Sequence, residues 1–334
     1  MFLQRKALYN LIQIQITCLQ TDEELDTSQL EPWQTENYRE YSIEHLLSEL
    51  HSLNLTFDLG DFELYAKEFE TPEEFAEQLA QELSPLESDR LFLVIFELWR
   101  RLFPEKQSLS LFCDELDHQI ILYDASQSDS PTDMQDAIAY LQLILDDNAD
   151  AGTKPPKAFE QIQTFCANNL ENFLYDYIFD QIEEGDEAYA RDLLDGFYRY
   201  VSEPCWFDYL IALTEMGQDP EEGYSKLETI VTGTRKQNLD LNLEILAFLA
   251  DNGTHNLFVT IAHKTLPNLD TEENFLEMVS ICHAHYTYLN HEGLIQKMKA
   301  FLQQRQSQEL DRPLSPEDPD LMALQKIFKG EKSR

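Results

Sequence analysis

Histidine and cysteine are concentrated in one short stretch of the sequence. Cys282, His283, His285 and His291 lie within ten residues, and Glu277 lies a little upstream. A zinc site needs about four nitrogen or sulfur donors that converge on one point. Side chains two positions apart on a helix point about 200° away from each other, so His283 and His285 cannot both face one ion. The spacing therefore predicts a helix with one buried and one exposed imidazole, and no metal site.

A second candidate pairs Asp114 with His118, four residues apart on one face of a predicted helix. Such a pair could seat a metal ion, or join a general base to the acid that orients it. No second ligand motif accompanies the pair, and no serine or cysteine has the sequence context of a nucleophile. We therefore interpret it as part of a solvated helix surface and expect no catalytic residue, metal or cofactor. An all-helical, possibly metal-dependent enzyme is the alternative.

The densest aromatic segment runs from residue 173 to residue 209, with carboxylates between its rings. Phe173, Tyr177 and Ile182 fit one buried helical stripe, which leaves Tyr175 and Phe179 turned elsewhere. Tyrosine beside carboxylate suits a basic or amphipathic peptide, because the ring offers cation–π attraction and the acid offers opposite charge. We predict a partner-binding surface made of Tyr175, Phe179, Asp180, Tyr189, Tyr198, Tyr200, Asp208 and Tyr209. The alternative is that these rings only fill the start of a helical array.

The net charge restricts the kinds of partner. Among 334 residues, 63 Asp and Glu oppose 24 Lys and Arg, which gives a formal net charge of −39. Binding to nucleic-acid phosphates or to anionic lipid relies on a basic surplus, so we expect neither nucleic acid nor a membrane as partner. We expect a protein or peptide that the negative field attracts. Two further hypotheses rest on the negative net charge alone. One is an acidic mimic that occupies nucleic-acid-binding proteins, and the other is adaptation to a saline habitat.

Other counts bear on the class of protein and its location. A hydrophobic content of 43%, with 20 Phe and 15 Tyr, supports a sizeable core and excludes disorder of the whole chain. Glycine is scarce at 10 residues, and no phosphate-binding glycine motif occurs. The five cysteines are scattered, and the longest strongly apolar run is the six residues 91–96. These counts predict a cytoplasmic protein with reduced thiols and without a membrane span.

Helical periodicity runs through nearly every ordered stretch, which predicts an all-α fold. Thr71 followed by Pro72 has the pattern of a helix start, with an N-cap and a proline at the first helical position. Ser84 or Ser88 is predicted to cap the next helix, at 91–103, whose apolar residues on all sides indicate a buried central helix. Further helices are predicted at about 2–19, 42–53, 61–70, 108–124 and 132–147.

Two breaks divide the sequence. Residues 148–157 contain Gly152 and the pair Pro155-Pro156, and residues 312–320 contain three prolines. We therefore predict three parts. They are an acidic all-helical domain at 1–150, a helical-repeat domain at 151–310, and a proline-rich break with a short terminal helix at 311–334.

A regular spacing marks the second half of the chain. Helices are predicted to start near residues 205, 221, 238, 255, 272 and 291, so alternate helices recur every 33 to 36 residues. The first helix of each pair ends near Gly217, Gly253 or Asn290, residue types that tolerate a left-handed cap. The recurrence is typical of a stack of helix pairs.

Individual residues extend this comparison to a known motif. Phe207 and Leu210 occupy the early aromatic and leucine positions of the tetratricopeptide motif. Gly223, Leu227 and Ile230 occupy its small and apolar positions in the second helix. The motif's first-helix glycine and closing proline are replaced by Ile211 and Arg235. Residues 205–305 therefore resemble tetratricopeptide-like repeats, mainly in their period.

The resemblance carries expectations about architecture and function. It implies an α-solenoid of antiparallel helix pairs, with a concave surface that binds peptides or partner helices and has no chemistry of its own. We therefore expect a non-catalytic adaptor or chaperone-like protein, which presents an acidic and aromatic surface to basic or amphipathic segments.

Overall fold

The structure, a computed structural model, describes residues 31–34, 36–127, 131–233 and 238–331. Within these ranges the regular structure is helical and contains no strand, so the predicted all-α class is confirmed. The helix predicted at 2–19 lies outside the described residues. No helix in the described ranges combines the length and the apolar character needed to cross a membrane.

Sixteen α-helices are present in the described part of the chain. In chain order they are α1 (Ile43–Ser52), α2 (Leu59–Ala66), α3 (Pro72–Leu79), α4 (Pro85–Leu102), α5 (Leu109–Asp124), α6 (Pro131–Asp150), α7 (Pro155–Gln163), α8 (Leu170–Glu183), α9 (Glu187–Phe197), α10 (Pro204–Met216), α11 (Pro220–Thr232), α12 (Leu239–Asn252), α13 (His255–Thr265), α14 (Glu272–Tyr288), α15 (Glu292–Arg305) and α16 (Pro319–Glu331).

The chain forms two compact units. Unit 1 takes its residues from Met1–Leu174 and Arg199–Ser202, and unit 2 takes its residues from Tyr175–Tyr198 and Glu203–Arg334. The boundary between them falls inside α8. The domain division predicted at 148–157 corresponds instead to the connection between α6 and α7, which lies within unit 1.

Helix α4 is at the centre of unit 1. Its N-cap is Ser84, whose Oγ accepts a hydrogen bond from the Glu87 N–H at 3.4 Å while the Glu87 carboxylate accepts one from the Ser84 N–H at 2.9 Å. Ser88 lies inside the helix, so Ser84 and not Ser88 is the N-cap residue. Residues 91–96, 98 and 99 are buried, and α1 and α3 pack against the helix. The predicted buried central helix is confirmed.

Unit 2 contains a series of helices with near-constant spacing. Helices α10 to α15 begin at 204, 220, 239, 255, 272 and 292, each within one residue of its predicted start. Helix α10 packs against α11, α12 against α13 and α14, and α14 against α15. Helices α8 and α9 begin 34 and 33 residues before α10 and α11. The sequence analysis missed that these two helices continue the same spacing.

The C-terminal ends of α10, α12 and α14, the first helix of each pair, differ in part from the prediction. Asn290 has φ +55° and takes the left-handed conformation, as predicted. Gly217 and Gly253 have φ −63° and −100°, so the left-handed prediction is wrong for both. At Gly217 an added Cβ would lie 1.9 Å from a carboxylate oxygen of Glu187, at the far end of a flexible side chain that can rotate away.

The last part of the chain folds back onto unit 2. The Leu314 N–H donates to the Asp270 carbonyl at 2.8 Å, in an extended segment that meets the start of α14. Helix α16 packs against α13, and the Phe328 ring lies 6.2 Å from Phe258 and 6.4 Å from Tyr286. The apolar residues Leu321, Leu324 and Phe328 of α16 are therefore buried within unit 2.

Candidate functional site

An aromatic cluster in unit 2 joins α8 to α10. The rings of Tyr175 and Phe179 stack with centroids 6.4 Å apart, one helical turn from each other. Trp206, near the start of α10, meets Tyr175 edge to face at 5.3 Å. All three side chains are half-buried. They therefore combine a fixed arrangement with rings that reach the protein surface.

Tyr209 lies on α10, three residues after Trp206. Its side chain is fully buried, and its ring meets Phe248 of α12 edge to face at 6.4 Å. Burial raises the pKa of its phenol, and neighbouring Tyr175, Glu244 and Glu183 raise it further. Among the described residues its hydroxyl has no hydrogen-bond partner. A buried hydroxyl without a partner is unfavourable, because its interaction with water has been lost and not replaced.

Glu244 of α12 supplies a carboxylate beside these rings. It is half-buried, and burial raises its pKa, as does the negative charge of Asp176. The same carboxylate helps to raise the pKa of Tyr175, after burial. Glu277 of α14 extends the acidic region: burial raises its pKa, with further contributions from Asp240, Glu244 and Glu273.

Four of these residues occupy equivalent positions in four helices. Tyr175, Tyr209, Glu244 and Glu277 are each the sixth residue of α8, α10, α12 and α14. Glu244 raises the pKa of Tyr175, Tyr209 and Glu277, and Tyr175 also raises the pKa of Tyr209. We call these four residues the Tyr–Glu row. The row, with Phe179, Trp206 and Phe248 beside it, is the candidate functional site.

The acids of the row differ from buried acids elsewhere in the chain. Glu97, Asp114 and Glu272 are buried, and each is paired with at least one arginine at 2.6–2.8 Å. For Glu244 and Glu277, no ion pair with a described residue is found within 4.0 Å. Glu244 is half-buried and has lost part of its water without gaining a cation, which is poorly compensated, whereas exposed Glu277 keeps its water. The row therefore presents negative charge that the described part of the chain does not neutralise.

The residues predicted from sequence are not all in one place. Tyr175 and Phe179 stack on each other, and half-buried Asp180 follows them on α8, whereas the Tyr209 ring of α10 meets Phe248 of α12. Tyr189 meets Tyr177 edge to face at 6.3 Å. The Tyr198 hydroxyl donates to Asp208 at 2.7 Å, which ties those two predicted residues to each other.

Tyr200 belongs to unit 1 and differs from the other predicted residues. Its side chain is fully buried, and its hydroxyl donates to Asp146 at 2.5 Å. Arg199 also donates to that carboxylate and lies over the Tyr200 ring at 4.8 Å. A ring held in this way serves packing within unit 1, so Tyr200 is not available as a surface contact there.

The histidines of α14 have separate environments. His285 is fully buried, its ring stacks on Phe258 at 3.7 Å, and its Nδ1 lies 3.1 Å from the Ala250 carbonyl. Its Nε2 is 3.1 Å from Nδ1 of His255. Since Nδ1 donates to the carbonyl, Nε2 accepts from His255, which fixes a neutral tautomer. Burial lowers the His285 pKa to about 4. His283 is half-buried on another side of the helix.

The interpretation of Asp114 and His118 as part of a solvated helix surface is wrong, because Asp114 is buried and His118 is half-buried. The Asp114 carboxylate accepts from Arg39 at 2.6 Å, and burial raises its pKa to about 7 even though Arg39 opposes the shift. Burial lowers the pKa of His118. Asp114 is therefore held by an arginine in unit 1. In the described ranges, no group of three or more His, Cys, Asp and Glu side chains could hold a metal ion.

The sequence analysis missed Glu244, Phe248 and Glu277, and it left Trp206 out of the predicted site. The signal that could have found them is the helix spacing. Counting six residues from each start in the 34-residue series leads from Tyr175 to Tyr209, Glu244 and Glu277. The burial of Tyr209 could not be found in that way, because it depends on how α10 and α12 pack.

Comparison with known proteins assigns no family to the chain. No protein-family model, no curated protein and no solved structure gives a significant match. Function must therefore follow from the side chains themselves.

Proposed function

We propose that the chain is a non-catalytic protein-binding protein, of the adaptor or chaperone type, that holds a basic or amphipathic segment of a partner protein on unit 2. The observation that carries this proposal is the Tyr–Glu row. It places the half-buried carboxylate of Glu244, which has no ion-pair partner among the described residues, beside half-buried aromatic rings. A partner that brings a cation and apolar surface would compensate this carboxylate and cover Phe179 and Trp206, which flank the row.

The architecture that we propose for α8 to α15 is a tetratricopeptide-like solenoid of antiparallel helix pairs. The near-constant spacing of the helix starts supports it. Gly223 supports it too, because an added Cβ would lie 2.3 Å from Cγ of Met216 and 2.9 Å from the Ala212 carbonyl oxygen. A small residue is thus needed where α11 crosses α10, at the position that the repeat motif keeps small.

Selection from a random peptide display library on the immobilised full chain tests the proposed function. We expect the selected peptides to be enriched in basic and apolar residues. Their binding should be lost in the double variant Tyr175→Ala/Glu244→Gln. It should be kept in the matched control Tyr140→Ala/Glu228→Gln, which changes an exposed tyrosine of α6 and an exposed acid of α11.

Two outcomes would contradict the proposed function. One is the absence of any enriched peptide. The other is enrichment of peptides that bind the double variant and the control equally well, because the row would then not be the binding surface. The all-helical enzyme, the acidic mimic, the effect of a saline habitat and the cytoplasmic location stay predictions from the sequence.

A further inference from the structure

Unit 1 has an exposed aromatic surface of its own, on and beside α2. The ring of Tyr65 stacks on Phe57 with centroids 6.2 Å apart and meets Phe69 edge to face at 5.9 Å. It also meets the fully buried ring of Phe75 edge to face at 5.8 Å. Phe57 and Phe69 are half-buried, and Tyr65 is 38% exposed. The three outer rings are therefore held by the core of unit 1 and still reach the protein surface.

A leucine extends this surface further into the solvent. Leu64, next to Tyr65 in α2, is 70% exposed, the largest value among the ten large apolar side chains that are exposed in the described part of the chain. Three of those ten, namely Leu59, Leu64 and Tyr65, belong to this one helix of eight residues. A single exposed apolar side chain is ordinary, whereas a group of them marks a binding surface. We call Phe57, Leu64, Tyr65 and Phe69 the α2 surface.

Carboxylates border the α2 surface along the sequence. Residues 57–74 contain seven Asp and Glu but one basic residue, Lys67. The acids are Asp58, Asp61, Glu63, Glu68, Glu70, Glu73 and Glu74. None of these seven carboxylates forms an ion pair with a residue that the structure describes. The apolar side chains of the α2 surface therefore have a negative border that stays free to attract cations.

One lysine from another part of unit 1 reaches this region. Nζ of Lys106, which follows α4, donates to the carbonyl oxygens of Lys67 and Phe69 at 3.1 and 2.6 Å. The same ammonium group lies 5.4 Å from the centre of the buried Trp99 ring. Lys106 is thus held by backbone oxygens and an aromatic face, and it leaves the carboxylates of the border to other cations.

The charge decides between the possible occupants of the α2 surface. A second copy of the chain would bring the same acids, and copies that each carry a formal net charge of −39 repel each other. A basic amphipathic helix fits, because its apolar stripe lies between rows of cations and the α2 surface lies between acids. The exposed face of Tyr65 adds cation–π attraction for a lysine or arginine that approaches it.

We propose that the α2 surface binds a basic amphipathic helix of a partner protein. The apolar stripe of that helix covers Leu64 and Tyr65, while its cations lie against Asp61, Glu68 and Glu70, which are all exposed. This surface belongs to unit 1, so the inference goes beyond the binding proposed for unit 2 and does not rest on it.

Hydrogen exchange measured by mass spectrometry tests this proposal on the full chain, because it reports each segment separately. The probe is an amphipathic helical peptide of about 18 leucines and lysines, and a scrambled peptide of the same composition is its control. We expect the amphipathic peptide to slow amide exchange in residues 57–70 and the scrambled peptide to leave it unchanged. The midpoint of a titration of this protection measures the affinity of the α2 surface alone.

Leu64→Ser removes the most exposed side chain of the α2 surface. It should raise the midpoint about tenfold, because the peptide no longer buries that leucine. The matched control Leu310→Ser makes the same change at a leucine of unit 2 that is 54% exposed, and it should leave the midpoint unchanged. The far-ultraviolet circular dichroism of both variants should equal that of the parent.

A charge variant supplies a second test that leaves the rings in place. Glu68→Gln/Glu70→Gln removes two exposed acids of the border, and it should raise the midpoint about threefold at low salt and less at high salt. The control Glu228→Gln/Glu309→Gln makes the same charge change at exposed acids of unit 2 and should leave the midpoint unchanged.

Four results would overturn the proposal. They are no protection of residues 57–70, equal protection by the amphipathic and the scrambled peptide, equal midpoints for Leu64→Ser and Leu310→Ser, and self-association of the chain that Leu64→Ser abolishes. The last result would make a second copy the occupant.

Failure at the α2 surface can be separated from failure of the proposed function. Protection of residues 57–70 and protection of α8 to α12 are read from different fragments of the same chain. Library peptides that bind the α2 surface lose affinity in Leu64→Ser, and those that bind the Tyr–Glu row lose it in Tyr175→Ala/Glu244→Gln. Each proposal therefore stands or fails by its own variant.

Discussion

Arg305, the last residue of α15, donates through Nη1 to both carboxylate oxygens of Glu272, the first residue of α14, at 3.0 and 2.8 Å. Both side chains are buried. The same guanidinium donates through Nε to Asp320 at 2.9 Å and through Nη2 to Asp318, whose carboxylate caps the start of α16. One arginine therefore joins the ends of three helices in unit 2.

Replacing this arginine should destabilise unit 2 strongly. Arg305→Ala leaves the buried Glu272 without a cation, and breaking one side of a buried ion pair costs about 3–5 kcal/mol of the free energy of unfolding. Urea denaturation followed by circular dichroism measures the change. The control Arg312→Ala removes an exposed arginine that bonds to Gln308 and should cost less than about 1 kcal/mol. Equal losses for the two variants would contradict the role of Arg305.

Gly223→Ala should destabilise the contact between α10 and α11. Alanine is favoured over glycine in a helix by about 1 kcal/mol, but the added methyl would overlap Met216 and the Ala212 carbonyl. Overpacking of this kind costs about 1–3 kcal/mol, so we expect a lower melting temperature. Gly330→Ala on α16, where a Cβ meets nothing within 4 Å, is the control and should be neutral or slightly stabilising. A Gly223→Ala variant that is more stable than the parent would contradict the tight contact between α10 and α11.

The stability of unit 2 should fall when the pH falls below about 6.5, because of His285. Burial holds its folded-state pKa at about 4, against an ordinary value of 6.5. Between these two values the unfolded chain binds more protons than the folded chain, so the free energy of unfolding decreases as the pH is lowered through this window. The total contribution is on the order of 3 kcal/mol.

His285→Asn checks the source of this effect, since it keeps a donor for the Ala250 carbonyl but cannot titrate. The variant should be less stable than the parent at pH 7, and the difference should shrink towards pH 4. The control His45→Asn makes the same change at a histidine of α1 that is 49% exposed, and it should not remove the loss of stability that His285 causes. Parallel profiles for the parent and His285→Asn would assign the pH dependence to other groups.

Cys113 and Cys166 should resist alkylation in the folded chain. A hydrogen bond with Cys113 raises the pKa of the Cys166 thiol, and burial raises it further. The thiolate is the reactive form, so both buried thiols should react with iodoacetamide at pH 8 more slowly than half-buried Cys205. Peptide mapping by mass spectrometry gives the rate at each residue. Equal rates at the three positions before unfolding would contradict the buried contact, and urea should make the rates similar.

Removal of one buried hydroxyl should stabilise the protein. Tyr209→Phe deletes a hydroxyl without a partner in the described chain and should raise the free energy of unfolding by about 1 kcal/mol. Tyr198→Phe is the matched variant, because it deletes a hydroxyl that donates to Asp208 at 2.7 Å, and it should lower stability by about 1 kcal/mol. Denaturant midpoints compare the two. Equal losses in both variants would mean that the Tyr209 hydroxyl is already satisfied.

Much of the fold could be predicted because helix starts depend on neighbouring residues. Thr71 and Ser84 accept hydrogen bonds from N–H groups three residues later, as their positions before Pro72 and Pro85 suggest. The left-handed ends were harder to predict. Gly217 adopts a right-handed conformation that any residue can take, so its residue type alone did not predict its backbone conformation.

The site could be predicted only in part. Tyr175 and Phe179 share one helix, so their proximity follows from spacing along the sequence. Tyr200 lies in the same aromatic segment but is buried in unit 1 against Asp146, more than fifty residues away in sequence. Composition cannot separate these two cases, because a tyrosine beside acids looks the same whether it packs or faces water.

The sequence by itself determined the all-helical class, the positions of most helix starts and the excess of acid over base. These features arise from the type of each residue and from interactions within a few positions of the chain. Only the tertiary structure decided that, among the described residues, the buried Tyr209 hydroxyl has no hydrogen-bond partner and Glu244 has no ion-pair partner. Both properties depend on which side chains α8, α10 and α12 bring together across about 70 residues of sequence.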